Sequence, residues 1–153
     1  MITDTKILTE INNRRKYFSI HFPAIEDCGD NDSITLPNSC PACGYNTLDS
    51  RWGWEICSIC FWEDDGQDNH NADKVLGGPN HCYSLNGYRA KIYTWMQRLK
   101  SGAYELNENE LRAGAALNEL DNLIQNNEQD VHIVANQINT VGALVKDLRK
   151  RFA

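Results

Sequence analysis

Two CxxC pairs, Cys40-Pro-Ala-Cys43 and Cys57-Ser-Ile-Cys60, with thirteen residues between them, constrain this chain more than any other feature. A CxxC turn folds two thiolates toward one point. Two such turns brought together complete a tetrahedral S4 set, the donor set of closed structural zinc sites. Gly44, directly after the second cysteine, suits a left-handed backbone position in the first turn. Tyr45–Leu48 and Trp54–Ile56 read as short strands, with Asp49–Gly53 as the turn between them. Other chemistries use the same residues. A thioredoxin-like redox motif needs a βαβ context and one pair rather than two. Disulfides need an oxidising compartment. A rubredoxin-type iron site has the same four thiolates, and spacing does not separate it from zinc. Zinc fits two short-spaced pairs best, and four thiolates leave it no open position, so the metal is expected to be structural.

Cys28 and Cys82 remain, and they read as buried free thiols. A second metal site built from Cys28, Cys82, His70 and His81 is the alternative, although its spacing has no recognised pattern. The opening residues MITDTKILTEINNRRKYF contain no apolar signal core, and no run approaches the ~18–20 residues of a membrane span. A cytoplasmic location without a membrane partner is therefore expected. A chain of 153 residues with 41% hydrophobic and 24% charged residues is long and apolar enough for a real core, which excludes wholesale disorder.

Beyond the cysteines, the order Cys40-Pro-Ala-Cys43-Gly44-Tyr45, Glu55-Ile56-Cys57, Cys60-Phe61-Trp62-Glu63-Asp64-Asp65-Gly66-Gln67, Gly77-Gly78-Pro79-Asn80, Ser84-Leu85 and Arg89 resembles the cysteine-rich CPCC family of small bacterial proteins. The resemblance covers about residues 40–95. It implies a zinc-binding fold and carries over no catalytic residue. The family's first motif reads Cys-Pro-Cys-Cys, whereas Ala42 stands at its third position here. That departure implies that the middle cysteine is not a required ligand.

Residues 4–18 read as an amphipathic helix with Ile7, Leu8, Ile11, Tyr17 and Phe18 on its apolar side, ended before Pro23. Residues 26–39 read as a loop and 63–82 as an ordered but irregular connection. Ser84 caps a helix carrying Leu85, Tyr88, Ile92, Trp95, Met96 and Leu99, which Gly102 stops. Asn107 and Glu110 form a capping box for a third helix with Ala113, Leu117, Leu120 and Ile124, broken at Asn126-Asn127. Asp130 caps a fourth, whose Val131, Val134, Ile138, Val141, Val145, Leu148 and Phe152 make an unbroken 3-4 seam. Lys146, Arg149, Lys150 and Arg151 complement its dipole. The predicted fold is α+β: a zinc-ribbon-like β-hairpin with a packed helix, followed by a C-terminal antiparallel αα-hairpin. The predicted division is 1–101, an N-terminal helix plus the zinc-binding domain, and 102–153, the helical hairpin. That hairpin is expected to pack on its own chain, with homodimerisation through its seam as the alternative.

Charge then narrows the function. Residues 26–73 hold eleven acids against the single base Arg51, a net −10 in a chain of net −6. An acidic ribbon repels phosphate, which argues against nucleic acid as partner. It favours a basic protein partner. Trp62, Glu63, Asp64, Asp65 and Asp68 are the candidate partner-binding residues, the acids either facing that partner or capping the next turn. The function expected is a non-enzymatic zinc-binding interaction module, in its narrowest form an immunity-type inhibitor of a toxin-like basic protein. One alternative is a metal-dependent hydrolase or nuclease using the loop 63–82, with Asp65, Asp68, His70 and His81. Against it, the chain has no H-E-x-x-H, G-x-S-x-G or P-loop pattern. A zinc-ribbon regulator is the other.

Overall fold

A computed structural model describes residues 4–23 and 37–148. Glu26, Asp27, Cys28, Asp30, Asp32, Arg149, Lys150, Arg151 and Phe152 lie outside the described residues. Helix α1 spans Asp4–His21 and buries Ile7, Ile11, Arg14, Tyr17 and Phe18 along one stripe. Leu8 sits one residue, about 100°, away from that stripe and is exposed.

Strands β1 (Asn38–Ser39) and β2 (Asn46–Leu48) pair antiparallel on either side of the first CxxC. The second CxxC is flanked in the same way. Trp54 N–H donates to the Asp64 carbonyl at 3.1 Å, Asp64 N–H donates to that of Glu55 at 2.9 Å, and Ile56 bridges Glu63. The segments 45–48 and 54–56 are thus extended as the sequence predicts, but they pair with their own flanks rather than with each other. Loop length does not separate the two pairings, since the 49–53 turn is as short as a CxxC turn; the bonds that close each CxxC turn, Cys40 N–H to the Tyr45 carbonyl and Cys57 N–H to the Trp62 carbonyl, set its own flanks side by side.

The connection that follows is irregular and pinned. Gln67 is fully buried, and its Nε2 donates to the carbonyls of Asn71 (3.0 Å) and Lys74 (2.7 Å). Two 3-10 turns follow, Asn69–Asn71 and Gly78–Asn80. Helix α2 (Leu85–Lys100) starts at Ser84, whose hydroxyl accepts from Gly87 N–H. It ends ahead of Gly102, which adopts a left-handed φ of 65°. Helix α3 (Glu108–Gln125) carries both bonds of the Asn107–Glu110 capping box, and α4 (Val131–Lys146) begins at Asp130, whose carboxylate accepts from His132 N–H. Among the described residues, four α-helices and one small antiparallel pair make the fold α+β, with α3 and α4 as the C-terminal helical hairpin.

Two glycines show how closely the layers approach. A Cβ on Gly114 of α3 would lie 1.8 Å from the Leu99 carbonyl oxygen at the end of α2. A Cβ on Gly142 of α4 would lie 3.4 Å from Ser58, inside the second CxxC. One buried cluster runs from Tyr17 and Phe18 through the four cysteines and Trp62 to Val141, Val145 and Leu148. It crosses the 101/102 division drawn from the sequence. The α4 seam residues Val134, Ile138, Val141, Val145 and Leu148 are buried in this cluster. The face suggested for a second copy is therefore covered by its own chain.

Candidate metal centre

The two CxxC turns are conformational copies of one another. Cys40 N–H donates to the Tyr45 carbonyl and Gly44 N–H to that of Cys40; Cys57 N–H donates to the Trp62 carbonyl and Phe61 N–H to that of Cys57. These four bonds span 2.8–2.9 Å. The fifth residue is left-handed in both turns, Gly44 at φ 84° and Phe61 at φ 68°. Glycine is obligatory only in the first, where a Cβ would stand 2.9 Å from the Ile11 carbonyl oxygen of α1. Phe61 meets no such backbone, and its ring packs on Trp95 at 6.3 Å between centroids. The sixth residues, Tyr45 and Trp62, are fully buried beneath the turns.

The turns bring Cys40, Cys43, Cys57 and Cys60 together. All four are buried, and their Sγ atoms lie within 4.8 Å of one another. Cys40 to Cys60 is 3.6 Å and Cys43 to Cys57 is 3.7 Å. A tetrahedron with Zn–S bonds of 2.3 Å has edges of about 3.8 Å, so the donor set fits such an ion. Its electrostatics fit as well. Burial pushes the Cys43 and Cys60 thiols well up. Burial also opposes ionisation of Cys57, but hydrogen bonds from the other three sulfurs and the Cys60 amide overcome it and hold that thiol well below its ordinary value. A divalent cation would stabilise the thiolate form of all four.

Groups outside the cage hold the turns in place. Thr47 Oγ1 donates to Cys57 Sγ at 3.0 Å, and the Ile59 and Cys60 amides donate to the same sulfur at 3.4 Å. From α1, Arg14 donates to the Cys43 carbonyl at 3.0 Å and lies 4.4 Å over the Tyr45 ring. From α2, Arg89 Nε donates to the Pro41 carbonyl at 2.9 Å, and Tyr88 Oη donates to that of Cys60 at 2.5 Å. Four thiolates around a divalent ion carry a net −2, and two guanidiniums beside the first turn offset part of it. Sequence reasoning overlooked Arg14, although it occupies a core position in the stripe 7-11-14-18 and so carried a signal. Ala42 is buried and lines a narrow gap with Ile11, Ile92 and Met96, consistent with a position that supplies no ligand.

Residues 38–109 match the protein family described as cysteine-rich CPCC. This segment, a little under half of the chain, is what is similar to that family. No curated protein and no solved structure matches the chain. The CPCC segment runs from β1 to the first turn of α3, so it holds all four sulfurs and the α2 residues that brace them.

The acidic loop differs from its sequence reading. Trp62 and Asp64 are fully buried, which removes both from any partner-facing surface. Asp64 accepts from Arg51 Nε at 2.9 Å, Trp52 N–H at 2.7 Å and Gly66 N–H at 3.2 Å. Asp68 binds Arg15 of α1 through both oxygens, at 2.7 and 2.8 Å, and Arg51 at 2.9 Å. Asp65 caps the turn at Gln67 N–H and accepts from Asn80. The chain of Asp64, Arg51, Asp68 and Arg15 thus ties the loop to α1 and pairs two of its acids. Glu63 and Asp65 remain partly exposed and form no ion pair among the described residues.

Among the described residues the four cysteines are the only cluster of three or more His, Cys, Asp or Glu side chains spaced to hold a metal. Asp65, Asp68, His70 and His81 form no such group, nor do Cys82, His70 and His81, all three of which are exposed. Cys28 lies outside the described residues. No described helix is long and apolar enough to cross a membrane.

Proposed function

We propose that the cage holds one structural zinc and that the chain is a zinc-stabilised, non-enzymatic module for binding a basic protein. The observation that carries the first half is the closed set of four buried sulfurs at tetrahedral spacing. Such a set holds zinc with every coordination position filled, so the metal supplies folding free energy rather than a reaction site. The second half rests on charge. Asp49, Glu55, Glu63 and Asp65 carry no ion pair among the described residues, in a chain of net −6. An acidic face on a rigid, metal-fixed turn attracts a basic partner and loses little entropy on binding it. The narrower form of this reading is an immunity-type inhibitor of a basic toxin.

The experiment is pull-down with the zinc-loaded protein from its native host, followed by binding kinetics with the captured protein across a salt series. The association rate should fall as salt rises, because the screening length is only ~8 Å at physiological ionic strength. Salt-independent association, or steady turnover of a phosphoester substrate by the purified protein, would contradict the proposal.

A further inference from the structure

The turn between the two CxxC pairs holds its largest side chains out of the core. Trp52 is 70% exposed, Trp54 57% and Ile56 43%. Both tryptophans have left-handed backbone, at φ 69° and 64°, a conformation uncommon for bulky residues and held only where the surroundings over-determine it. Those surroundings are specific. The buried Asp64 carboxylate fixes Trp52 N–H at 2.7 Å and is itself held by Arg51. The Glu55 carboxylate accepts from the Asp49 and Ser50 amides at 2.8 and 3.0 Å. Trp54 N–H is tied to the Asp64 carbonyl. The turn is therefore rigid, and its rigidity keeps two indoles in water. Ile56 lies across the rung from Glu63, and the Trp52 ring lies beside Gly66, the residue after Asp65.

We propose that Trp52, Trp54 and Ile56 are the apolar centre of a docking surface for an arginine- or lysine-bearing protein segment, with Glu63 and Asp65 as its charged rim. This rests on the basic-partner reading above and names the residues that carry it. Tryptophan faces attract guanidinium groups, and pre-positioned aromatic anchors amid polar residues are the usual energetic centre of an interface. Charge complementarity selects the occupant. A second copy would set these carboxylates against their own kind, and nucleic acid would set them against phosphate.

The test is panning of a displayed random dodecapeptide library on the zinc-loaded chain, followed by titration of the selected peptides. The variants are Trp52→Ala with Trp54→Ala, and Glu63→Gln with Asp65→Asn, each checked for unchanged zinc content and circular dichroism. The selected peptides should be rich in Arg and Lys, and should bind the tryptophan variant roughly tenfold or more weakly. The carboxylate variant should bind more weakly at low salt and equal the parent at high salt. Cationic peptides that bind the tryptophan variant as tightly as the parent would overturn this surface and leave the basic-partner reading standing. Neutral or acidic peptides that need the tryptophans would keep the surface and overturn the basic partner. Absence of any enriched peptide would overturn the docking surface itself.

Discussion

Arg51 stands alone among eleven acids in residues 26–73, and its three donor nitrogens reach Asp64, Asp68 and the Gln67 carbonyl. Removing it leaves the fully buried Asp64 with only backbone donors. Arg51→Ala should therefore destabilise the chain by about 3 kcal/mol, within the range for stripping one partner from a buried ion pair. Urea unfolding measures this. Arg51→Lys should recover only part of the loss, because one ammonium lacks the planar fork that reaches two carboxylates; full recovery would contradict the network. Tyr17 gives a pH prediction. Its hydroxyl donates to the Glu128 carbonyl at 2.6 Å, and burial first, then the Glu128 carboxylate, pushes it up to about 12. An unfolded phenol ionises near pH 10, so between pH 10 and 12 the folded state holds the extra proton. The Tyr17 contribution is fully present below pH 10 and is lost as pH rises toward 12. Stability of Tyr17→Phe should fall less steeply than that of the parent over this window.

The α3–α2 contact admits no side chain at Gly114, which must lie against the Leu99 carbonyl. Gly114→Ala would gain helix propensity elsewhere, yet here it should destabilise by about 2–3 kcal/mol and lower the melting temperature by roughly 5–10 °C. Calorimetry decides it, and an unchanged or higher melting point would contradict the close crossing. The helices were largely legible in the sequence. Ser84, Asn107 and Asp130 announce their starts through local capping chemistry, and the apolar periods of α2 and α4 show which faces are buried. The strand pairing was less legible, since 45–48 and 54–56 carry strand signals without naming their partners. Phe61 was not legible as a left-handed residue, because no glycine marks that position as Gly44 marks the first turn. Trp62 was misread for a related reason. The run Phe61–Asp65 shows neither helical nor strand alternation, so nothing local revealed that Trp62 and Asp64 point inward while Trp52 and Trp54 point out.

Among the described residues, the cage lies inside the larger of two buried clusters. Helix α1 reaches it through Arg14, α2 through Tyr88 and Arg89, and α4 approaches it where Gly142 meets Ser58. The four ligands were legible because CxxC is a local geometry. Their supports were not, because Arg14 and Tyr88 become neighbours of the cage only after folding. From the sequence, the α3–α4 seams alone appear independent of the metal. The shared core predicts otherwise: Cys57→Ser should lose the metal and broaden or abolish the unfolding transition of α4 along with that of the CPCC segment, as read by hydrogen exchange. Metal content tests the account most directly, by elemental analysis of protein prepared without added metal, alongside the Cys57→Ser variant. One zinc per parent chain and none in the variant is the expected result. A fully folded parent with no metal, two metals per chain, or iron with a red colour would contradict it.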